Sequence, residues 1–380
     1  MKIYKSLLII ALIFLEFGCS AMKKNILQET LASANPKIKK VMSNPEAFEL
    51  QIIYTQILRD KNNKVSFKDF TYRLNAENYF YPASTVKFPI AVLALEKLNT
   101  IENTSKDTEY VIEGKPEKLR FSEEISKIFA VSSNEASTNL LEFIGFDYLN
   151  ESMKAKGLSP FRVSNRVSAP DAGNPITKPI TLYKDDNTVV ILPEIHNKPS
   201  VPLTMNKLKK GIGYMKEDNL VNEPFDFSNK NYFPLETLQN TMKRIVFPEA
   251  FKESERFNLT EKEREFILYS MQNVPKNAGY DPAIYHDGYC KFFMFGDTKE
   301  NIPANIKIYN KPGDAYGTLI DCAYIVDAAN KVEFMVSATL LVNNDGVFND
   351  DKYEYETIGL PFLGELGRQL YAKNLQSKSK

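Results

Sequence analysis

The stretch Ser84-Thr-Val-Lys-Phe-Pro-Ile-Ala-Val-Leu-Ala-Leu-Glu-Lys-Leu98 decides how this chain is read. Its apolarity is nearly continuous from Phe88 to Leu98, which predicts a helix buried on most sides rather than one lying on a surface. Pro89 fits only near a helix start, so the first turn falls at Ser84 to Phe88. Residues three apart share a helix face, which sets the Lys87 amine beside the Ser84 hydroxyl. A serine hydroxyl is a weak nucleophile until a base takes its proton, and a lysine is such a base only where burial or nearby positive charge lowers its pKa. Val86, Phe88, Ile90 and Ala91 supply the burial, and a helix N-terminus favours negative charge developing at Ser84. The plainer alternative makes Ser84 an N-cap and Lys87 a solvated side chain. The same spacing at Ser20–Lys23 and Ser377–Lys380 falls in polar tails that cannot organise a site.

Two more strings follow in order. Ser132-Ser133-Asn134-Glu135 lies between two amphipathic stretches and reads in one way as a capping box for the following helix. In the other reading Ser132 relays a proton to a leaving group, while the Asn134 amide orients Lys87 and holds a substrate carbonyl. Lys311-Pro312-Gly313 ends a strand-like segment, where Lys311 is either an ordinary terminal charge or a cation beside a cleft. Pro312 lacks a backbone donor and marks a sheet edge, and Gly313 lets another backbone approach closely.

The surrounding chain has 380 residues with 43% hydrophobic content, enough for one large domain or two modest ones. Lys plus Arg and Asp plus Glu balance at 48 each, so no global field draws in nucleic acid, which is not expected as a partner. With two histidines in all, a metal cluster is not expected either. At the N-terminus Lys2 and Lys5 precede an apolar run, Leu7 to Leu15, too short to span a bilayer and followed by Gly18-Cys19. This resembles a bacterial lipoprotein signal, which implies residues 1–18 as signal peptide and Cys19 as the lipid-bearing first residue of an exported, membrane-anchored envelope protein. An ordinary secretory signal or a short anchor is the other reading; both imply export. Residues 19–40 then read as a polar tether. Cys290 and Cys322 lie in strand-like segments, where a disulfide is permitted and buried free thiols are equally compatible.

Strand-like composition at 48–58 and 65–72, with turn residues between, predicts a hairpin. Helical periodicity dominates from Ser84 to about Gly157, with helices at Phe121 to Val131 and Glu135 to Ile144 and a C-cap at Gly145. Residues 172–235, rich in Pro, Asn and Lys, read as an insertion that forms a lid or an extra wall over the cleft. Helices return at 235–246 and 261–271, giving a helical block of about 84–280. The chain closes with strands at 289–295, 306–309, 317–326 and 332–341 and a helix from about Leu360 to Tyr371. Strands at both ends and helices between predict an α+β fold of α/β/α layers, with one antiparallel sheet built from both ends of a domain spanning 41–380.

The order Ser-x-x-Lys, Ser-x-Asn, Lys-x-Gly resembles the signature of the penicillin-recognising serine enzymes, and most closely class A β-lactamases. Pro82 to Lys87, Val131 to Leu141 and Lys311 to Thr318 each look like the corresponding stretches of that family. The resemblance implies Ser84 as acylated nucleophile, Lys87 as its base, Ser132 as proton shuttle, Asn134 as positioner of substrate and lysine, and Lys311 as the cation for a substrate carboxylate. It further implies an oxyanion hole from the backbone N–H groups of Ser84 and Asp314, with Gly313 beside them. No metal or organic cofactor is implied. Three departures stand out: Ser133 replaces an acidic residue, Pro312 replaces a hydroxyl residue, and in Arg166 to Asn174 Ala169 takes the place of the water-activating glutamate. Asp171 and Glu194 are the substitutes within reach of the sequence.

The leading expectation is an exported serine hydrolase acting through an acyl-serine on a small-molecule β-lactam or a peptidoglycan-like amide or ester. The alternative is an envelope penicillin-binding or sensor lipoprotein with negligible turnover. A Ser-His-Asp hydrolase is a poorer third, since neither His196 nor His286 has a recognisable motif around it.

Overall fold

Strands from the two ends of the chain pair with one another across nearly its full length, and this pairing organises the computed structural model, which describes residues 24–378. The strands are β1 (Gln51–Arg59), β2 (Val65–Tyr72), β3 (Lys307–Asn310), β4 (Gly313–Ala315), β5 (Thr318–Asp327) and β6 (Val332–Leu341). They lie in the order β3–β5–β6–β1–β2, antiparallel throughout, with β4 continuing along β5 beyond the end of β3. In register, Gln51 faces Thr339 and Ile53 faces Ser337. The period of two sends Ile52, Tyr54, Phe334 and Val336 to one face and Ile53, Met335 and Cys322 to the other. Both faces are covered, so β5 and β6 are buried along almost their whole length.

On the first face lie α1 (Ile26–Leu31), α2 (Pro36–Met42) and the last helix of the chain, α9 (Leu360–Lys378). The second face carries α7 (Leu235–Val246) and the helical block α3 (Lys87–Leu98), α4 (Phe121–Val131), α5 (Asn134–Ile144), α6 (Phe146–Ala155) and α8 (Glu261–Gln272). This is the α+β arrangement of α/β/α layers that the strand and helix pattern predicts. The helix α3 is buried from Lys87 to Glu96, as its unbroken apolarity requires. Around the block runs a small four-stranded sheet from residues 109–112, 119–120, 180–183 and 189–192.

Several local expectations are overturned. Residues 26–42 are no tether: Asn25 and Asn35 cap α1 and α2, and Leu27, Leu31, Ile38 and Val41 are buried against α9 and the sheet. Two apolar residues per short helix are enough to dock it where a partner helix waits. The expected signal peptide, residues 1–18, and Cys19 lie outside the described residues. Residues 289–295 form no strand but a tight fold-back, in which a side chain on Gly288 would meet the Phe295 carbonyl at 2.1 Å and Met294 is left-handed. Cys290 and Cys322 are both buried free thiols, and only Cys322 sits in a strand. Within the block 84–280, by contrast, the insertion 172–235 contributes short strands, one of them at the strand-like run 188–192.

One polar chain crosses the otherwise apolar contact between α7 and the sheet. Gln239 donates to Thr55 Oγ1 at 2.9 Å and accepts from the Ser337 hydroxyl, Thr55 donates to Asp69 at 2.5 Å, and Asp69 pairs with Lys243 at 2.7 Å. Replacing Gln239 strands buried polar groups on two strands at once. A Gln239→Leu protein is therefore expected to lose about 2–4 kcal/mol in urea unfolding, whereas replacement of an exposed residue of α6 leaves the midpoint within error.

Candidate active site

The reactive corner is made where a 3-10 turn, a helix junction and a strand edge meet. Residues Ala83–Val86 form the 3-10 turn that runs straight into α3, so Ser84 sits one turn before the buried helix rather than on it. The N-cap positions of the turn and of α3 are Pro82 and Val86 rather than Ser84, which removes the plain N-cap reading. Its neighbour Ala83 is left-handed at φ 46° and almost fully buried, a conformation disfavoured for a residue with a side chain and held by the packing around it. The β4 edge lies directly behind the turn: a side chain on Gly313 would meet Ser84 N at 2.6 Å. Glycine is required there.

Lys87 is fully buried, and its ammonium donates to Ser132 O at 2.5 Å, to Ser132 Oγ at 3.4 Å and to Asn134 Oδ1. Ser132 is the left-handed C-cap of α4, at φ 57°. Capping of α5 falls instead to Ser133, whose hydroxyl accepts from Ala136 N at 3.1 Å, and Glu135 pairs with Lys115; the Ser132–Glu135 capping box does not form. The Ser132 hydroxyl is thus free of any N-capping duty, and it also accepts from Lys311 Nζ at 2.8 Å. A hydroxyl has two lone pairs and one proton. With a lysine at each lone pair, its O–H is directed elsewhere.

Lys311 is fully buried too and donates to the Pro312 carbonyl at 2.7 Å. Burial, reinforced by the charge of Lys311, holds Lys87 well below the usual amine range. Burial likewise pushes Lys311 down to about 8, against the pull of Cys290, Asp321 and Asp314. Beneath it lies a second buried layer absent from the motif reading. Asn310 donates to both Asp321 oxygens at 3.0 Å and accepts from Lys291 at 2.8 Å. Asp321 is raised to about 6 by its burial and Lys291 is lowered to about 8 by its own.

The strand register fixes one more group. Lys311 N donates to Cys322 O, so the pairs that exchange hydrogen bonds with β5 are Lys311, Gly313 and Ala315, and Asp314 N–H points off the free edge. That edge faces Ser84, so the Ser84 and Asp314 amides are available together as donors.

These groups open on a cleft of about 860 Å³ lined by Ser84, Ser132, Asn134 and Asp314. Tyrosines dominate its walls: Tyr280, Tyr285 and Tyr289 from one segment, Tyr81 and Tyr316 in edge-to-face contact at 5.0 Å, and Tyr353 with Tyr355. The density of tyrosine at 280–289 and 353–355 is visible in the sequence, but nothing there ties it to Ser84. The loop after Arg166 closes on itself through Arg166 N to Ala172 O and the buried Arg166–Glu142 pair, and it brings Val167 and Ser168 to the cleft. Ala169 and Asp171 do not line it, and Glu194 is exposed and paired with His196. The segment 172–235 is neither lid nor lining. Its Phe225 and Phe227 back Tyr316 and Tyr81, so it buttresses the wall from behind.

Residues 34–191 match the model of the β-lactamase enzyme family, a span that includes Ser84, Lys87, Ser132 and Asn134 and stops before Lys311. Comparison with curated protein sequences finds no match. Among solved structures, a β-lactamase from Sphaerobacter thermophilus aligns with TM-score 0.52 at 11% identity, over 92% of this chain and 96% of that one. A β-lactamase from Burkholderia vietnamiensis aligns with TM-score 0.51 at 11% identity, over 95% and 99%. A mutant of PBP-A, solved as its acyl-enzyme complex with penicillin G, aligns with TM-score 0.50 at 16% identity, over 92% and 96%. The family model thus matches the first half of the folded chain, and the solved structures show that the chain has the fold of β-lactamases and of PBP-A.

Proposed function

We propose that this protein is a serine acyl hydrolase of the β-lactamase type, with Ser84 as the nucleophile. The observation that carries the reading is the convergence of Lys87 and Lys311 on one hydroxyl, Ser132 Oγ, at the mouth of the cleft that Ser84 lines. In the neutral form that its burial favours, Lys87 takes the Ser84 proton as Oγ attacks a carbonyl carbon. The oxyanion so formed is held by the amides of Ser84 and Asp314. Ser132 then passes its proton to the departing nitrogen or oxygen and is reprotonated by Lys87, which returns to its neutral form as the bond to the leaving group breaks and an acyl-serine remains. Lys311 supports the shuttle by stabilising negative charge on Ser132 Oγ while that proton is in transit. Water must then attack the ester to release the acid.

The same reading takes the protein to be exported and anchored by a lipid on Cys19, on the strength of the N-terminal sequence; mass analysis of the mature N-terminus tests that. A second reading, a penicillin-binding or sensor protein that acylates and turns over negligibly, is favoured by one observation. The loop after Arg166 presents Val167 and Ser168 to the cleft and no carboxylate to activate water.

Two outcomes are expected. Intact-mass analysis after mixing with a chromogenic cephalosporin or a p-nitrophenyl ester finds an acyl adduct that is absent from Ser84→Ala; chromophore release beyond one equivalent marks the hydrolase, and a long-lived adduct marks the sensor. No adduct with either reagent refutes both. Acylation is also expected to follow a bell in pH. It rises as Lys87 loses its proton, at a pKa well below the usual amine value, and falls as Lys311 loses its own near pH 8. In Lys311→Met the falling limb disappears and the rising limb moves to higher pH, because the like charge that lowers Lys87 is gone. A rising limb that stays in place overturns the assignment of Lys87 as base.

A further inference from the structure

The walls of the cleft carry the opposite charge to the one its buried lysines suggest. Among the described residues, no lysine or arginine lines the cleft or the recess of about 200 Å³ that adjoins it, whereas Asp314, Asp351 and Glu356 do. Lys311, the cation expected to meet a substrate carboxylate, is fully buried and committed to Ser132 Oγ and to the Pro312 carbonyl. Pro312 offers no hydroxyl beside it, and Asp314 stands on the next strand residue but one, exposed at the edge. A carboxylate brought to this place meets like charge first.

The remaining wall is aromatic. Tyrosine ring faces carry negative potential and attract ammonium groups, the more so where water is excluded. This chain shows the preference internally: the Lys230 ammonium, which is not part of the lining, sits 5.8 Å from the Tyr316 ring centre. Burial raises the Tyr81, Tyr289 and Tyr316 phenols, so these rings stay uncharged through neutral pH. Carboxylates and neutral phenol rings around one cleft form a surface that favours cations and repels anions.

We infer that the cleft selects an ester or amide whose acyl group bears an ammonium and no carboxylate near the scissile bond, and that Asp351, Glu356 and the tyrosine wall set this preference. The inference rests on the acyl-serine reading of the same cleft and turns it away from the anionic β-lactams. Substrate choice is then set by the walls, while the chemistry is set by the buried lysines behind them.

Three p-nitrophenyl esters of similar length test it: the 4-(trimethylammonio)butanoate, its neutral isostere the 5,5-dimethylhexanoate, and the glutarate monoester. The cationic ester is expected to exceed the anionic one in kcat/KM by about tenfold at low ionic strength, with the neutral ester between them and the ratio shrinking as salt is added. In an Asp351→Asn, Glu356→Gln double variant the ratio falls to within about twofold, whereas Glu223→Gln, an exposed acid outside the cleft, leaves it as it was. Equal rates, or preference for the glutarate, overturn the inference. The corresponding N-methylamides, titrated calorimetrically into Ser84→Ala, read recognition without chemistry. If no ester acylates Ser84 but the cationic amide still binds best, the acyl-serine reading fails and the selectivity stands; equal binding overturns the selectivity.

Discussion

Two ammonium groups shut away from water and facing a single hydroxyl are the constraint on which this site depends. Like charges in a medium of low effective dielectric repel strongly, and each alone already loses its hydration on burial. The fold answers with fixed acceptors. Lys87 has the Ser132 carbonyl and Asn134, Lys311 has the Pro312 carbonyl, and Asp321 lies beneath it in the second buried layer. What the acceptors leave uncancelled lowers the proton affinity of Lys87 and so turns an ordinary ammonium into a base. The left-handed backbone at Ser132 belongs to the same arrangement, since it turns both the carbonyl and the hydroxyl of one residue toward Lys87.

Much of the architecture was legible in the sequence where a pattern is strong and local. The helix α3 announces itself through an apolar run with no polar stripe, and β5 and β6 through long runs of strand formers buried on both faces. The misreadings have physical causes. The helices α1 and α2 each bury only two or three side chains, so their composition looks like that of a tether until α9, more than three hundred residues on, supplies the surface they cover. The aromatic run at 289–295 has the composition of a strand, but Gly288 permits a backbone contact that folds the segment back on itself.

The three motif strings were legible for the same reason that helices are: spacing within four residues predicts a shared face or a shared turn. Their meeting was not, because it depends on the place where β4 crosses the 3-10 turn. Lys291, Asn310 and Asp321 stood outside any motif, and each is unremarkable until the sheet brings the three together. The tyrosine wall was hidden in a different way. Its members come from separate segments, several of them loops, and no periodicity links them.

The pairing of β1 with β6 sets an order of events for the nascent chain. Gln51 cannot find Thr339, nor Ile52 its neighbour Ala338, until nearly all of the polypeptide is available. Contacts of such high sequence separation close late and slowly. The helical block between them can gather its apolar core earlier, with Lys87 already inside it. The segment bearing Lys311, between β3 and β4, arrives only with the closing sheet, and its positive charge adds to the effect of burial on Lys87. Burial in the helical block thus lowers the proton affinity of Lys87 first and the closing sheet lowers it further, so the full depression belongs to the completed topology.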